Sequence, residues 1–134
     1  MTVRVLIVDD HAEIRHLVRL TLEPTGYLLD EATDASTALD KIYLNPPDIL
    51  ILDVMMPGKM DGYALCEQLK QSKEWRHICV ILLTARGQHT DLERGRAAQA
   101  DAYLVKPFSP TALWGLVQRA GEGKCPSFDG GKSS

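Results

Sequence analysis

A chain of 134 residues with 45% hydrophobic and 25% charged residues has the size and balance of one globular domain able to bury a core. Its formal net charge of −3, with no block of basic residues, disfavours sequence-independent nucleic-acid binding. No apolar run approaches the length of a membrane span, and no basic region leads into a signal-length apolar stretch, so a cytoplasmic protein is expected. Cys66, Cys79 and Cys125 are odd in number and lack paired metal spacing, which reads as free thiols in a reducing cytosol.

In chain order, Val3 to Val8 is a short apolar run that ends on Asp9-Asp10. A helical pattern follows, with Ile14, Leu17, Val18 and Thr21 on one face, closed by Pro24 and Gly26. Tyr27 to Ala32 reads as a second strand. Asp34 stands at a cap position before a helix striped by Ala35, Ala38, Leu39 and Ile42, and Asn45-Pro46-Pro47 breaks it. Ile49 to Leu52 is a wholly aliphatic run, the signature of a strand buried on both faces, and it ends on Asp53. After a loop at 54–60, Asp61-Gly62 opens a helix with Leu65 and Leu69 inward. Ile78 to Leu83 is another continuous apolar strand, ending on Thr84. A weakly patterned helix over about 87–99 offers Leu92, Gly95 and Ala98 as inward positions. Ala102 to Val105 is a fifth strand ending on Lys106-Pro107. Ser109 caps a last helix through Leu113, Leu116, Val117 and Ala120, and from Gly121 onward a loose tail rich in glycine, serine and lysine is expected. Five strands alternating with five helices predict an α/β fold with a doubly wound parallel sheet, the strand order 2-1-3-4-5 being the common five-strand solution.

Four strands therefore end on polar residues: Asp9-Asp10, Asp53, Thr84 and Lys106. In a parallel sheet these ends share one edge. An acid closing a buried strand costs desolvation unless its charge is compensated. Three carboxylates in one pocket repel one another, and a hard divalent cation with oxygen ligands relieves that repulsion. Magnesium suits the set, since it accepts a few carboxylates and keeps room for waters and phosphate oxygens. Lys106 adds a positive charge and Thr84 a hydroxyl donor. Such a site fits acceptance of a phosphoryl group, with Asp53 as the nucleophile.

Asp9-Asp10, Asp53 with Met56-Pro57, Asp61-Gly62, Thr84-Ala85 and Lys106-Pro107-Phe108, in that order, resemble a two-component response-regulator receiver domain over residues 2–121. The resemblance implies the flavodoxin-like receiver fold, with a domain over 1–121 and a flexible tail or start of a linker over 122–134. It implies that Asp53 takes phosphate from a histidine kinase or phosphotransfer protein. Asp10 and Asp53 would bind Mg2+ directly, Asp9 through a water, and Met55 through its backbone carbonyl. Thr84 and Lys106 would contact the phosphoryl oxygens, Thr84 moving towards them and Tyr103 turning inward in response. The altered face would be the fourth helix, fifth strand and fifth helix, read by a downstream protein target or by a fused output domain outside these residues. Chemistry would be limited to self-phosphorylation and autodephosphorylation at Asp53, with no nucleic acid or membrane bound by this domain. A cis Lys106-Pro107 bond is also implied. The chain departs from the family in having Gly58, Lys59 and Met60 between the loop proline and Asp-Gly, where two residues are usual. Met55 and Arg86 occupy positions that tune the access of hydrolytic water in the family.

Plainer readings compete at each position. Asp9-Asp10 alone fits a solvated helix N-terminus, Thr84 a β-branched strand residue, and Tyr103 a half-buried aromatic. His11, beside the acids, has no second histidine or cysteine at ligand spacing and reads as a surface or capping residue. His16, His77 and His89 read as solvated, and Arg86, Arg94 and Arg96 as a solvated helix face. Trp75 and Trp114 read as packing under loops. Two other functions use parts of the same pattern. A receiver-like module that binds partners without phosphate would need no complete site. An aspartyl-nucleophile phosphatase places its two acids two residues apart after the first strand, where this chain has an adjacent pair. Nucleotide binding lacks a glycine-rich loop after that strand.

Overall fold

The computed structural model describes residues 2–85 and 89–126. Arg86, the His89 side chain and residues 127–134 of the expected tail lie outside the described residues. The strands are β1 (Arg4–Val8), β2 (Leu28–Ala32), β3 (Ile49–Asp53), β4 (Cys79–Thr84) and β5 (Ala102–Val105). The helices are α1 (Ala12–Leu22), α2 (Ala35–Leu44), α3 (Gly62–Lys70), α4 (His89–Ala97) and α5 (Pro110–Gly121), with a short 3-10 turn at Glu23–Thr25. The sheet is parallel throughout, in the order β2-β1-β3-β4-β5. The fold is the expected doubly wound α/β architecture.

Strand alternation divides the core in two. Leu6, Val8, Leu50, Leu52, Val80 and Leu82 face α2, α3 and α4, where Ala38, Ile42, Leu65 and Leu69 meet them. Val5, Ile7, Ile49, Ile51, Ile81 and Leu83 face α1 and α5, against Val18, Leu22, Leu113 and Val117. Every residue of β3 and β4 is buried, which explains why those strands lack an alternating polar face. Three helices start on side-chain caps, of which Asp34 and Ser109 were expected as caps and Asp61 as a helix start: Asp34 accepts from the Thr37 N–H, Asp61 from Ala64 and Ser109 from Ala112.

On α1 the buried stripe is Val18 and Leu22, while Leu17, expected inward, is 38% exposed. The helix is turned so that Arg15 and Arg19 lie over β2, each donating its Nε to the Glu31 carboxylate, at 2.9 and 2.7 Å. That pairing holds Glu31 below the usual carboxylate range; burial works the other way and is outweighed by the two guanidinium groups.

The free-thiol expectation fails for two of the three cysteines. Cys79 and Cys125 form a disulfide with Cα atoms 5.9 Å apart, and Cys66 alone is free and buried. The spacing hid this because the contact depends on topology: α5 runs back to the edge where β4 begins. Beyond Gly121, residues 122–124 continue in hydrogen-bonded turns on the end of α5. Among the described residues no helix is long and apolar enough to cross a membrane.

Candidate functional site

Strand register assembles the site. Val8 pairs with Leu52, so Asp9 and Asp53 follow side by side on adjacent central strands. Asp53 pairs with Leu83 and Thr84 with Val105, which brings Thr84 and then Lys106 to the same carboxyl edge. This edge, between strands whose helices leave to opposite faces, is where open α/β sheets form their crevices.

All the acids expected at the site meet there. Carboxylate oxygens of Asp9, Asp10 and Asp53 and a ring nitrogen of His11 lie within 4.8 Å of one another. Asp9 and Asp53 are buried, whereas Asp10 faces outward from the same cluster. Lys106 Nζ donates to Asp9 Oδ2 at 2.9 Å and pairs with Asp53 Oδ1 at 3.3 Å. Asp53 Oδ1 also accepts the Met55 N–H at 3.2 Å. Asp53 Oδ2 is buried and has no hydrogen-bond partner among the described residues. Among the described residues three carboxylates face one ammonium, and Asp53 carries the consequence: burial, and then the Asp9 charge, push its carboxyl above the usual range. Lys106 shows the converse. Burial alone would lower it, but Asp9 and Asp53 together hold its ammonium above the ordinary lysine value.

This donor set fits a hard divalent cation. Among the described residues it offers oxygen ligands with excess negative charge, and one buried carboxylate oxygen lacks any other partner.

The supporting loops are specific. The Arg15 guanidinium donates to the backbone carbonyl of Asp9 at 2.8 Å, joining the Glu31 pair to the site. Gly62 approaches β3 so closely that a Cβ there would lie 2.2 Å from the Asp53 carbonyl oxygen, and its N–H donates to Val54 O at 3.1 Å. Only glycine fits this junction. Met55 is exposed, while Met56 and Met60 pack against the core, so the longer 58–60 loop is anchored at both ends. Thr84 is buried, and its carbonyl accepts the Lys106 N–H at 2.7 Å. Tyr103 is half-buried against the cluster under α3 and α4. The Lys106-Pro107 bond is cis, as the family resemblance implied.

Two roles were not legible in the sequence. His11 is the N-cap residue of α1, as one reading allowed, but its Nδ1 lies 3.1 Å from Asp9 and 3.2 Å from Asp10, which raises its pKa. Arg94 is exposed, as a solvated helix face requires, and it also pairs with Asp61 at 3.2 Å and lies 4.2 Å over the Tyr63 ring. That contact joins α4 to the start of α3.

Comparison with known proteins agrees with this geometry. The family model described as "Response regulator receiver domain" matches residues 5–118. The phosphate regulon transcriptional regulatory protein PhoB of Escherichia coli is 41% identical over 113 residues, covering 84% of this chain and 49% of the relative. The chain thus spans about half the length of the curated relatives it matches. Among solved structures, the chemotaxis response regulator CheY4 of Vibrio cholerae superposes with a TM-score of 0.82 at 32% identity, covering 90% of this chain and 99% of that one. The signal receiver domain of a signal transduction histidine kinase from Syntrophus aciditrophicus gives a TM-score of 0.84 at 36% identity, covering 91% and 92%. Register, acidic edge, lysine and family match converge on one conclusion: the chain belongs to the response-regulator receiver family, the phosphoacceptor domains of two-component signalling.

Proposed function

We propose that Asp53 is the phosphoacceptor and takes its phosphoryl group from a phosphohistidine of a histidine kinase or phosphotransfer protein. The observation that carries this reading is Asp53 Oδ2, a buried carboxylate oxygen without a partner among the described residues, beside the cluster of acids. In the transfer this oxygen forms a bond to phosphorus as the bond to the donor imidazole nitrogen breaks, and the imidazole leaves with a proton. Asp10 and Asp53 would hold Mg2+ directly, Asp9 through a water, and Met55 through its backbone carbonyl. A bound Mg2+ neutralises carboxylate and phosphoryl charge. Lys106, now shared between Asp9 and Asp53, would donate to a phosphoryl oxygen, and the Thr84 hydroxyl would donate to another. Movement of Thr84 would draw Tyr103 inward and alter the face of α4, β5 and α5, through which a downstream protein or a fused output domain reads the state. Self-phosphorylation from small donors and autodephosphorylation would be its only chemistry. We further propose a cytoplasmic location and a domain over residues 1–121, with 122–134 a tail or the start of a linker.

The test is intact mass after incubation with acetyl phosphate, with and without Mg2+, for wild type and Asp53→Asn. The reading expects a metal-dependent gain of one phosphoryl group that the variant lacks. Equal labelling of Asp53→Asn would overturn it.

A further inference from the structure

We propose that Cys79 and Cys125 form a reversible thiol–disulfide pair that fastens or frees the segment following α5 at the sheet edge opposite Asp53. The proposal stands independently of the phosphoacceptor assignment, since its groups lie at the other end of β4. Cys79 is the first residue of that strand and Thr84 the last.

The backbone brings the two sulfurs together by its own hydrogen bonds. After α5, the Gly123 N–H donates to Ala120 O at 3.1 Å and the Lys124 N–H to Arg119 O at 2.8 Å, with Gly123 at φ +81°. This is the paired C-cap arrangement that reverses the chain after a helix, and it sends Cys125 back towards the start of β4. A turn of this kind persists without the covalent bond, so the thiols remain near each other and re-oxidation closes a preformed contact.

The two cysteines differ in environment in a way that suits reversibility. Cys125 is exposed, so its sulfur is open to attack by a soluble thiol. Cys79 is 3% exposed and packs in the cluster with Leu113, Leu116 and Val117. As a free thiol it remains a small buried hydrophobe, so the reduced core stays filled. Asp101 has a carboxylate oxygen within 4.8 Å of both sulfurs, but its Oδ2 is already committed to Lys70 Nζ at 2.7 Å and to the Val80 N–H at 2.8 Å. The third cysteine does not compete. Cys66 is buried on α3 with its thiol pushed up to about 12 by burial.

The oxidant is a low-molecular-weight disulfide. The Cys125 thiolate displaces one thiol from it, forming a mixed disulfide, and Cys79 then displaces the second. Two protein thiols are oxidised, one small disulfide is reduced to two thiols, and the two protons pass to those products. In the oxidised state the end of α5 is tied to β4 and residues 122–125 are held against the start of that strand. In the reduced state only the turn hydrogen bonds hold it.

The experiment equilibrates the full chain in reduced or oxidised glutathione, traps free thiols with iodoacetamide, and reads peptide maps and amide hydrogen exchange. The proposal expects a Cys79–Cys125 cross-linked peptide in oxidised buffer only. It also expects the Gly123 and Lys124 amides to exchange about tenfold slower when oxidised. Cys125→Ser, at an exposed position, should exchange like the reduced protein in both buffers and keep wild-type labelling by acetyl phosphate. Cys79→Ala should reproduce its exchange pattern. Cross-linking through Cys66, or exchange indifferent to glutathione, would overturn the proposal. So would stoichiometric zinc binding by the reduced protein that Cys125→Ser abolishes, since the cluster would then be a metal site.

Discussion

Gly62→Ala tests how packing at the β3–α3 junction sets the chemistry of the acidic edge. The added Cβ would lie 2.2 Å from Asp53 O and 2.7 Å from Val54 Cα, both backbone atoms, where ordinary contacts begin at 3.4 Å. Relief therefore needs the junction to open by roughly 1.2 Å in a region packed at near-crystal density. β3 is paired on both sides, so the movement falls on residues 54–61 and breaks the Gly62 N–H bond to Val54 O. Overpacking costs about 1–3 kcal/mol and the lost hydrogen bond about 1 kcal/mol more. At about 3 °C per kcal/mol for a domain of this size, Tm should fall by roughly 6–12 °C. The displaced loop carries the Met55 amide that orients Asp53 Oδ1, and a misplacement near 1 Å should slow Mg2+-dependent labelling by about 100-fold. Gly115→Ala is the control: a Cβ there has no neighbour within 4 Å, and α5 should gain about 0.5–1 kcal/mol with labelling unchanged. The assays are thermal denaturation and the initial rate of acetyl-phosphate labelling. A Gly62→Ala protein with wild-type Tm and wild-type rate would refute the reasoning.

Other substitutions probe the charges. Because the Asp53 carboxyl is raised in the fold by burial and by Asp9, its ionisation costs stability as pH climbs from its ordinary value of 3.8 through the folded value. Asp53→Asn should thus be more stable than wild type at neutral pH without metal, and the gap should close below about pH 4; a gap independent of pH in denaturant melts would contradict this. Lys106→Ala leaves the buried Asp9 carboxylate without its ammonium and should lower metal-free stability by about 2–4 kcal/mol. The same variant should keep some Mg2+ binding and lose most of the change at Tyr103 on beryllofluoride addition, and an NMR signature of Tyr103 that still moves in full would sink the role given to the lysine. Lys70→Met removes the donor that meets Asp101 Oδ2 and Ile78 O, both at 2.7 Å. It should cost about 2–4 kcal/mol in chemical denaturation while labelling of Asp53 is untouched, and a loss below 1 kcal/mol would show the pair to be dispensable.

The architecture was legible because β3 and β4 announce themselves as uninterrupted aliphatic runs, and their polar terminators Asp53 and Thr84 must share an edge once the sheet is parallel. Asp34 and Ser109 were readable as caps for a local reason, the hydroxyl or carboxylate one turn before an apolar stripe. What stayed hidden depended on contacts between elements distant in sequence. Leu17 and Leu22 are equally apolar, and the face that turns inward is the one that packs Val18 and Leu22 in the core while Arg15 and Arg19 reach Glu31 on β2. The pairing of the exposed Arg94 was hidden because its partners, Asp61 and Tyr63, are supplied by α3 and its cap. Cys79 and Cys125 are 46 residues apart, and no spacing rule joins a strand start to a residue beyond the last helix.

The most direct test of the central claim is to locate the phosphoryl group. The labelled protein is reduced with borohydride, which converts an acyl phosphate to the corresponding alcohol, and its peptides are sequenced by mass. The account predicts homoserine at position 53 and nowhere else. Homoserine at position 9 or 10, with Asp53 unchanged, would contradict it.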